Sequence, residues 1–356
     1  MVKKRVAVAI SGGFDSSVAA LLLKEAGYEV IGMHMRLWRD RENGPDNLGY
    51  SSKSKIDVDK AKQVCRKLDI PFHLVDLKNE FKNQVVDYFC NEYVQGRTPN
   101  PCIVCNKYIK FGLLLDEALS LGADYLATGH YATVNCSEGI YHLLKGVDSN
   151  KDQSYVLYTL DQATLGRVVF PLGGYLKAEV CKIAKQNYLF TAEESGSQDV
   201  CFISGKYSDF LSKNVDISSG EIVTKCGEIL GQHKGVAFYT VGQRHRLGFY
   251  AGQRMYVIKI EPEKNRIVVG TEEELYSGGL IAVQVNWVSG NPPSEPMDIA
   301  VKIRYKSPEV PAIIYPKLSL AKVQFREPQR AVTPGQAIVF YQNNEVIGGG
   351  IIEKQE

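Results

Sequence analysis

At 356 residues the chain exceeds what one hydrophobic core usually organises, so roughly two or three domains are expected. With 44% hydrophobic and 23% charged residues, its composition is that of an ordinary soluble protein. A net charge of +2 is too small to argue for a polyanion partner by itself, so any nucleic-acid surface has to come from local clustering.

Lys3, Lys4 and Arg5 precede an apolar run, but the Gly- and Asp-containing stretch from Ser11 to Ser17 interrupts it, so this opening is not read as a signal peptide. No stretch approaches the roughly 20 apolar residues that span a bilayer. The eight cysteines are scattered instead of forming a dense framework, which fits thiol or metal chemistry in a reducing compartment. A cytoplasmic protein is therefore expected.

Residues 5–10 read as a buried strand, 16–26 as a helix and 29–35 as the next strand. Residues 39–54 have few apolar side chains and many Gly, Asn, Asp and Ser, and read as a mobile surface loop. Asp57 is suited to cap a helix whose Val58, Ala61, Val64 and Leu68 share one face. Strands recur at 72–76 and 125–128 with helices between, which is the α/β pattern of a parallel sheet covered on both faces. Beyond about Lys206 the texture changes to short strand-like runs separated by Gly and Pro, at 254–260, 266–269, 281–285, 300–305, 321–325 and 337–341. Strands without intervening helices imply small β-rich domains, with a barrel at the C-terminus.

The most informative local string is Ser11-Gly12-Gly13-Phe14-Asp15-Ser16-Ser17, between a strand and a helix. Small residues let the backbone approach a phosphate, and a helix N-terminus presents unpaired N–H groups and a partial positive charge. The string is an anion cradle, yet neither the Walker pattern nor G-x-G-x-x-G is present, so kinase-like and dinucleotide-binding readings lose support. It resembles the loop of the ATP-pyrophosphatase family, which cleaves ATP to AMP and pyrophosphate. Further strings narrow the resemblance: Thr98-Pro99-Asn100-Pro101, Cys105-Asn106, Ala127-Thr128-Gly129-His130-Tyr131, Lys151-Asp152-Gln153-Ser154-Tyr155 and Thr333-Pro334-Gly335-Gln336-Ala337. In order, over nearly the whole chain, these resemble the bacterial-type tRNA 2-thiouridylases.

That resemblance implies an N-terminal parallel sheet of ATP-pyrophosphatase (adenine nucleotide alpha hydrolase-like) type over residues 1–206, a small tRNA-contacting domain over 207–276 and a C-terminal β-barrel over 277–356. It implies ATP-dependent 2-thiolation of the wobble uridine of tRNA, with Ala9, Ile10, Ser11, Gly12, Gly13, Phe14, Asp15, Ser16, Met35 and Gly129 binding ATP. Asp15 would help place Mg²⁺, which prefers carboxylate and phosphate oxygens. By the same resemblance, Asn100, Pro101 and Cys102 lie near the target base, and His130, Lys151, Asp152, Gln153, Arg304, Tyr305 and Gln336 touch tRNA. The partners implied are tRNA and an upstream sulfur donor, such as a cysteine desulfurase or sulfur relay protein.

The residues themselves support sulfur chemistry. Asn100 is a suitable N-cap and Pro101 a suitable first helical residue, so Cys102 and Cys105 should lie one turn apart at a helix start, where thiolates are favoured below the usual value of about 8.5. Cys201, in Ser197-Gln198-Asp199-Val200-Cys201-Phe202, matches the family's second essential cysteine. Cys65, Cys90 and Cys181 read as small buried hydrophobes, and Cys136 and Cys226 remain unassigned. Two chemistries are open for the trio. In one, Cys201 carries a persulfide and Cys105 ends as its disulfide partner. In the other, Cys102, Cys105 and Cys201 hold a [4Fe-4S] cluster with one open iron, a reading strengthened because one common family pattern has Asp where this chain has Cys102. A closed zinc site lacks an evident fourth ligand.

Basic residues cluster at Lys302, Arg304, Lys306, Lys317, Lys322, Arg326 and Arg330, and again at Arg244 and Arg246 with His245, next to Tyr239. Interleaved with aromatics, they suit phosphate contact and base stacking. The competing readings are an amide-forming ATP pyrophosphatase, which gives Cys105 and Cys201 no task, and a catalytically silent tRNA-binding protein.

Overall fold

A computed structural model describes residues 3–38, 52–189, 200–203, 205–249 and 253–356. Its first sheet is formed by β1 (Arg5–Ala9), β2 (Glu29–Arg36), β3 (Phe72–Asp76), β4 (Tyr125–Ala127) and, after the hairpin β5 (Ala132–Ser137) and β6 (Ile140–Lys145), by β7 (Val168–Val169). The order is β3-β2-β1-β4-β7 with every pairing parallel. β1 sits at its centre with Val6, Ala7 and Val8 fully buried, as expected for a strand covered on both faces. On one face pack α1 (Phe14–Glu25), α2 (Ser52–Lys67) and the helix Lys177–Gln186, through Val18, Ala61, Val64 and Val180. On the other pack Phe111, Leu114 and Ala118, with side chains of the C-terminal strands such as Val339 and Tyr341.

The apolar stripe of α2 is as expected, with Val58, Ala61, Val64 and Leu68 all buried. Its start is not, because the helix begins at Ser52, which places Asp57 inside it instead of at its cap. Residues 52–54 therefore leave the expected loop, and 39–51 lie outside the described residues. The remaining strand readings agree to within a few residues, except that the strands Tyr276–Trp287 and Leu320–Arg330 run longer at both ends than the sequence suggested.

The middle of the chain forms a four-stranded sheet of β8 (Gly220–Thr224), β9 (Ile229–His233), β10 (Tyr256–Glu261) and β11 (Arg266–Gly270), in the order β10-β11-β8-β9. The last part is antiparallel: β12 (Tyr276–Trp287), β13 (Met297–Lys302), β14 (Val310–Pro316), β15 (Leu320–Arg330), β16 (Ala337–Gln342) and β17 (Glu345–Gln355) run β12-β15-β14-β13-β16-β17. A direct pairing of β12 with β17 closes them into a barrel. β6 then adds to β17 through Leu143 and Leu144, so the β5–β6 hairpin leaves the N-terminal half to extend the C-terminal sheet.

Candidate active site

In a parallel sheet, ligands lodge beyond the carboxyl ends of the strands where the order reverses. Here the chain steps outward from β1 to β3 and returns to the other side of β1 at β4, so the crevice opens between the loops that follow β1 and β4. Those loops are Ser11-Gly12-Gly13 and Thr128-Gly129-His130. They meet because residue 129 is glycine. A Cβ there would come within 2.9 Å of the Asp15 carbonyl carbon and the Ser16 nitrogen.

Side chains brace the first loop. The Ser16 hydroxyl accepts from the Ser11 N–H at 3.1 Å and the Ser17 hydroxyl donates to the Gly13 carbonyl at 2.9 Å. Gly12 adopts φ +89°, where a side chain would be strained and would press on α2. Gly13 occupies the N-cap of α1 with no side chain bonded to the first helical N–H groups, which leaves donors for an anion. Asp15 is not spent on capping. Its Oδ1 accepts from Lys177 Nζ at 2.6 Å and from the Tyr131 hydroxyl at 2.8 Å.

This loop forms one end of a cavity of about 400 Å³. Ala9, Ile10, Ser11, Asp15, Ser16, Met35 and Gly129 line it, with Gly12, Gly13 and Phe14 in the adjoining turn. The other end is lined by Pro101, Cys102, Cys105, Lys110, His130, Gln153, Val200 and Cys201. Asn100 caps its helix as expected, its Oδ1 accepting from the Cys102 N–H at 3.1 Å, with Pro101 in the first turn. The strap leading to Asn100 is pinned to the barrel, since the Thr98 N–H donates to the Pro334 carbonyl at 2.9 Å and Gln336 Nε2 donates to the Thr98 carbonyl at 2.8 Å. Cys105 is buried among Phe81, Phe89, Cys90 and Phe202, in the cluster that also packs Val200. Ser197, Gln198 and Asp199 lie outside the described residues.

The thiols do not behave as the helix start suggested. Burial pushes Cys105 up to about 12, opposed by the charge of Lys110 and reinforced by Cys201 and Cys102. Cys102 is also raised by desolvation and lowered by Lys110. Desolvation outweighs the field of the helix start at Pro101. His130 is buried against Phe111 and Phe170, and its Nδ1 lies 2.7 Å from the Thr128 hydroxyl. Desolvation, then Lys110, holds it well below 6.5, so it is a neutral imidazole. No disulfide joins any of the eight cysteines. Cys65 and Cys90 are buried and pushed up to about 11, as small hydrophobes would be, whereas Cys181 is half-exposed instead of buried.

Among the described residues, no three His, Cys, Asp or Glu side chains form a group able to hold a metal. Cys102, Cys105 and Cys201 line the same cavity, and the charges of Cys201 and Cys102 act on Cys105. Asp15 supplies a single carboxylate, which suits Mg²⁺ because that ion keeps waters and substrate phosphates as most of its ligands.

The residues expected at tRNA separate into surface and interior. Lys151 is exposed, whereas Asp152 is buried and accepts from the Gly146 N–H at 3.1 Å and the Ser154 hydroxyl at 2.9 Å. Gln153 Oε1 accepts from the Tyr131 N–H at 3.0 Å at the cavity wall. Arg304 bonds the Ala331 carbonyl and the Thr333 hydroxyl inside the barrel, and the Tyr305 hydroxyl donates to the Asp152 carbonyl at 3.3 Å. Lys322, Arg326 and Arg330 are paired with Glu356, Asp298 and Glu272. Arg244 and Arg246 are exposed, but Tyr239 beside them is buried in the central core and does not serve as a stacking surface.

Sequence reasoning missed Lys110, Trp38, His34, Asp57 and Thr128 on the cavity wall, and Tyr131 and Lys177 on Asp15. Tyr131 stood inside a quoted string, but only the β1–β4 contact reveals its task. Among the described residues no helix is long and apolar enough to cross a membrane.

Residues 4–205 match the family described as the tRNA methyl transferase HUP domain, 208–271 the tRNA methyl transferase PRC-barrel domain and 277–352 the aminomethyltransferase β-barrel domain. The chain is 45% identical to the tRNA-specific 2-thiouridylase MnmA of Acetivibrio thermocellus, covering 99% of this chain and 100% of the relative. It is equally similar, at 45%, to MnmA 1 of Clostridium botulinum, with 99% and 100% covered, and to MnmA of Carboxydothermus hydrogenoformans, with 99% and 98% covered. Similarity end to end in both directions, on a chain whose anion-binding loop and cysteines share one cavity, makes this protein a member of the tRNA-specific 2-thiouridylase family.

Proposed function

We propose that this protein is a cytoplasmic sulfurtransferase that adenylates carbon-2 oxygen of the tRNA wobble uridine at one end of its cavity and delivers sulfur from a Cys201 persulfide at the other. The observation that carries this reading is the shared lining: Ser11, Asp15 and Ser16 lie on the same wall system as Cys102, Cys105 and Cys201. The cytoplasmic placement rests on the tRNA substrate and the scattered thiols. We read residues 1–206 as the catalytic unit, with 207–276 and 277–356 as the units that reach across the tRNA.

The carbon-2 oxygen of uracil is amide-like and leaves poorly, so the adenylyl group of ATP converts it to an AMP ester and pyrophosphate departs. The open N–H groups of α1 face the charge that grows on pyrophosphate. The terminal sulfur of the Cys201 persulfide adds to carbon 2, and AMP leaves with the electrons of the broken C–O bond. The base is then joined to Cys201 through a disulfide. Cys105 attacks the Cys201 sulfur, forms a Cys105–Cys201 disulfide and expels 2-thiouridine, whose departing anion takes up the Cys105 thiol proton. Two equivalents of an external thiol reduce the pair and leave as their own disulfide, and an upstream persulfide donor reloads Cys201. Mg²⁺ bound beside Asp15 would neutralise ATP phosphates. The target base must leave the anticodon-loop stack, which costs a few kcal/mol.

Anaerobic thiolation assays test the division of labour. Cys105→Ser and Cys201→Ser should stop 2-thiouridine formation while pyrophosphate release continues, and Cys102→Ser should retain substantial activity. Loss of both iron and thiolation in Cys102→Ser, with pyrophosphate still released, would replace the persulfide scheme with a cluster.

A further inference from the structure

Cys105 opens a π-helical segment, Cys105–Leu113, inserted between the turn Pro101–Val104 and the helix Leu114–Ser120. In an α-helix, residues five apart point roughly 140° away from each other. In a π-helix, hydrogen bonds run from i to i+5, so such residues stack on one face. The bond from the Leu114 N–H to the Ile109 carbonyl has that spacing. The wider turn therefore brings Lys110 to the face of Cys105 and into the cavity wall beside Cys102, Cys201 and His130. Lys110 is half-buried and makes no hydrogen bond or ion pair with any described residue. An ammonium with no anionic partner among the described residues, in a partly dry cavity, is placed for an anion that arrives with the reaction.

We propose that Lys110 carries the positive charge of the sulfur-transfer end, where it contacts and stabilises the anionic sulfur that attacks carbon 2 of the adenylated uridine. The incoming sulfur is an anion approaching a carbon that already bears a phosphodiester anion, and among the described residues of that wall no other cation offsets the repulsion. His130 is neutral, Cys102, Cys105 and Cys201 add no positive charge, and Lys177 is committed to Asp15 at the far end. The direction in which Lys110 acts on Cys102, Cys105 and His130 agrees with a positive charge felt across this wall. The proposal rests on the reading of Cys105 and Cys201 as the transfer thiols.

Two measurements on Lys110→Gln and Lys110→Arg test it. In single turnover with persulfide-loaded enzyme, unmodified tRNA and ATP, Lys110→Gln should release pyrophosphate at the wild-type rate, form 2-thiouridine on the order of tenfold to hundredfold more slowly, and accumulate adenylated tRNA. Lys110→Arg should recover most of the loss. Independently, the ratio of the iodoacetate to the iodoacetamide rate at the exposed Cys102 reads the local charge, because thiol ionisation cancels in it. This ratio should fall about fivefold in Lys110→Gln and hold in Lys110→Arg. Lys107→Gln, on the exposed side of the same segment, should change neither. An unchanged ratio, or unchanged thiolation, in Lys110→Gln overturns the proposal. If Lys110→Gln does not fold, the same readings on Lys110→Met decide it. Full thiolation by Cys105→Ser would instead remove the reading beneath it, a failure seen without any Lys110 variant.

Discussion

The two ends of the cavity handle negative charge by opposite means. At the loop end, donors are backbone N–H groups of α1, and the acidic side chain there, Asp15, is already balanced by Lys177 and Tyr131. At the sulfur end, burial raises Cys105 and Cys102 and keeps the His130 imidazole neutral, and among the described residues Lys110 is the cation on that wall. A preorganised polar cradle suits a pyrophosphate that is charged throughout, whereas a site that must hide a nucleophile until the base arrives is better served by desolvation. The contrast implies that substitutions at one end should spare the step performed at the other.

The largest effect expected is at the sulfur end. Cys201→Ser and Cys105→Ser should lower 2-thiouridine formation by on the order of a thousandfold or more, with pyrophosphate release intact, as measured by nucleoside mass spectrometry beside a pyrophosphate assay. At the loop end, Asp15→Ala frees Lys177 and should slow adenylation by about a hundredfold while tRNA affinity holds, as seen by filter binding. Should either variant abolish both steps, the two ends are not separable.

Gly129→Ala sharpens the comparison at the junction. Its Cβ collides with the backbone of Asp15 and Ser16, so about 1–3 kcal/mol of stability should be lost and the ATP concentration for half-maximal rate should rise. Lys151→Ala should weaken tRNA binding several-fold and reduce the salt slope by about one, whereas Arg304→Ala should chiefly lower the melting temperature, because that guanidinium is bonded within the barrel. The smallest effect is a pH effect at His130. Its folded value lies well below 6.5, so the unfolded chain takes up the proton first, and stability present above about 6.5 declines as pH falls further. Urea midpoints measured below pH 6.5 should decline less steeply in His130→Gln.

Elements dominated by local rules were legible in the sequence. β1, the glycine-rich turn and α1 follow from an apolar run, two glycines and a helical period, and Asn100 caps where its chemistry said it would. What the sequence concealed depended on neighbours distant in the chain. The capping role given to Asp57 failed because α2 starts earlier, and the lowered thiol values failed because Phe81, Phe89 and Phe202 bury Cys105. The β5–β6 hairpin could not be assigned to the C-terminal sheet, since its partner β17 lies some two hundred residues later, as the Val346 to Leu143 pairing shows. Lys110 was hidden by the wider turn of a π-helix, whose hydrogen bonds span five residues and which no α-helical pattern search registers. Asp152, Arg304 and Gln336, expected at tRNA from the family resemblance, also bond to other parts of the chain, which no local pattern announced.

The central claim is that sulfur passes within one cavity from Cys201 to the base with Cys105 closing behind it. One measurement tests it most directly: a single turnover of persulfide-loaded enzyme with unmodified tRNA and ATP, quenched by alkylation and followed by peptide and nucleoside mass spectrometry. The account predicts one Cys105–Cys201 disulfide for each 2-thiouridine formed. A full yield of 2-thiouridine with Cys105 still alkylatable would contradict it.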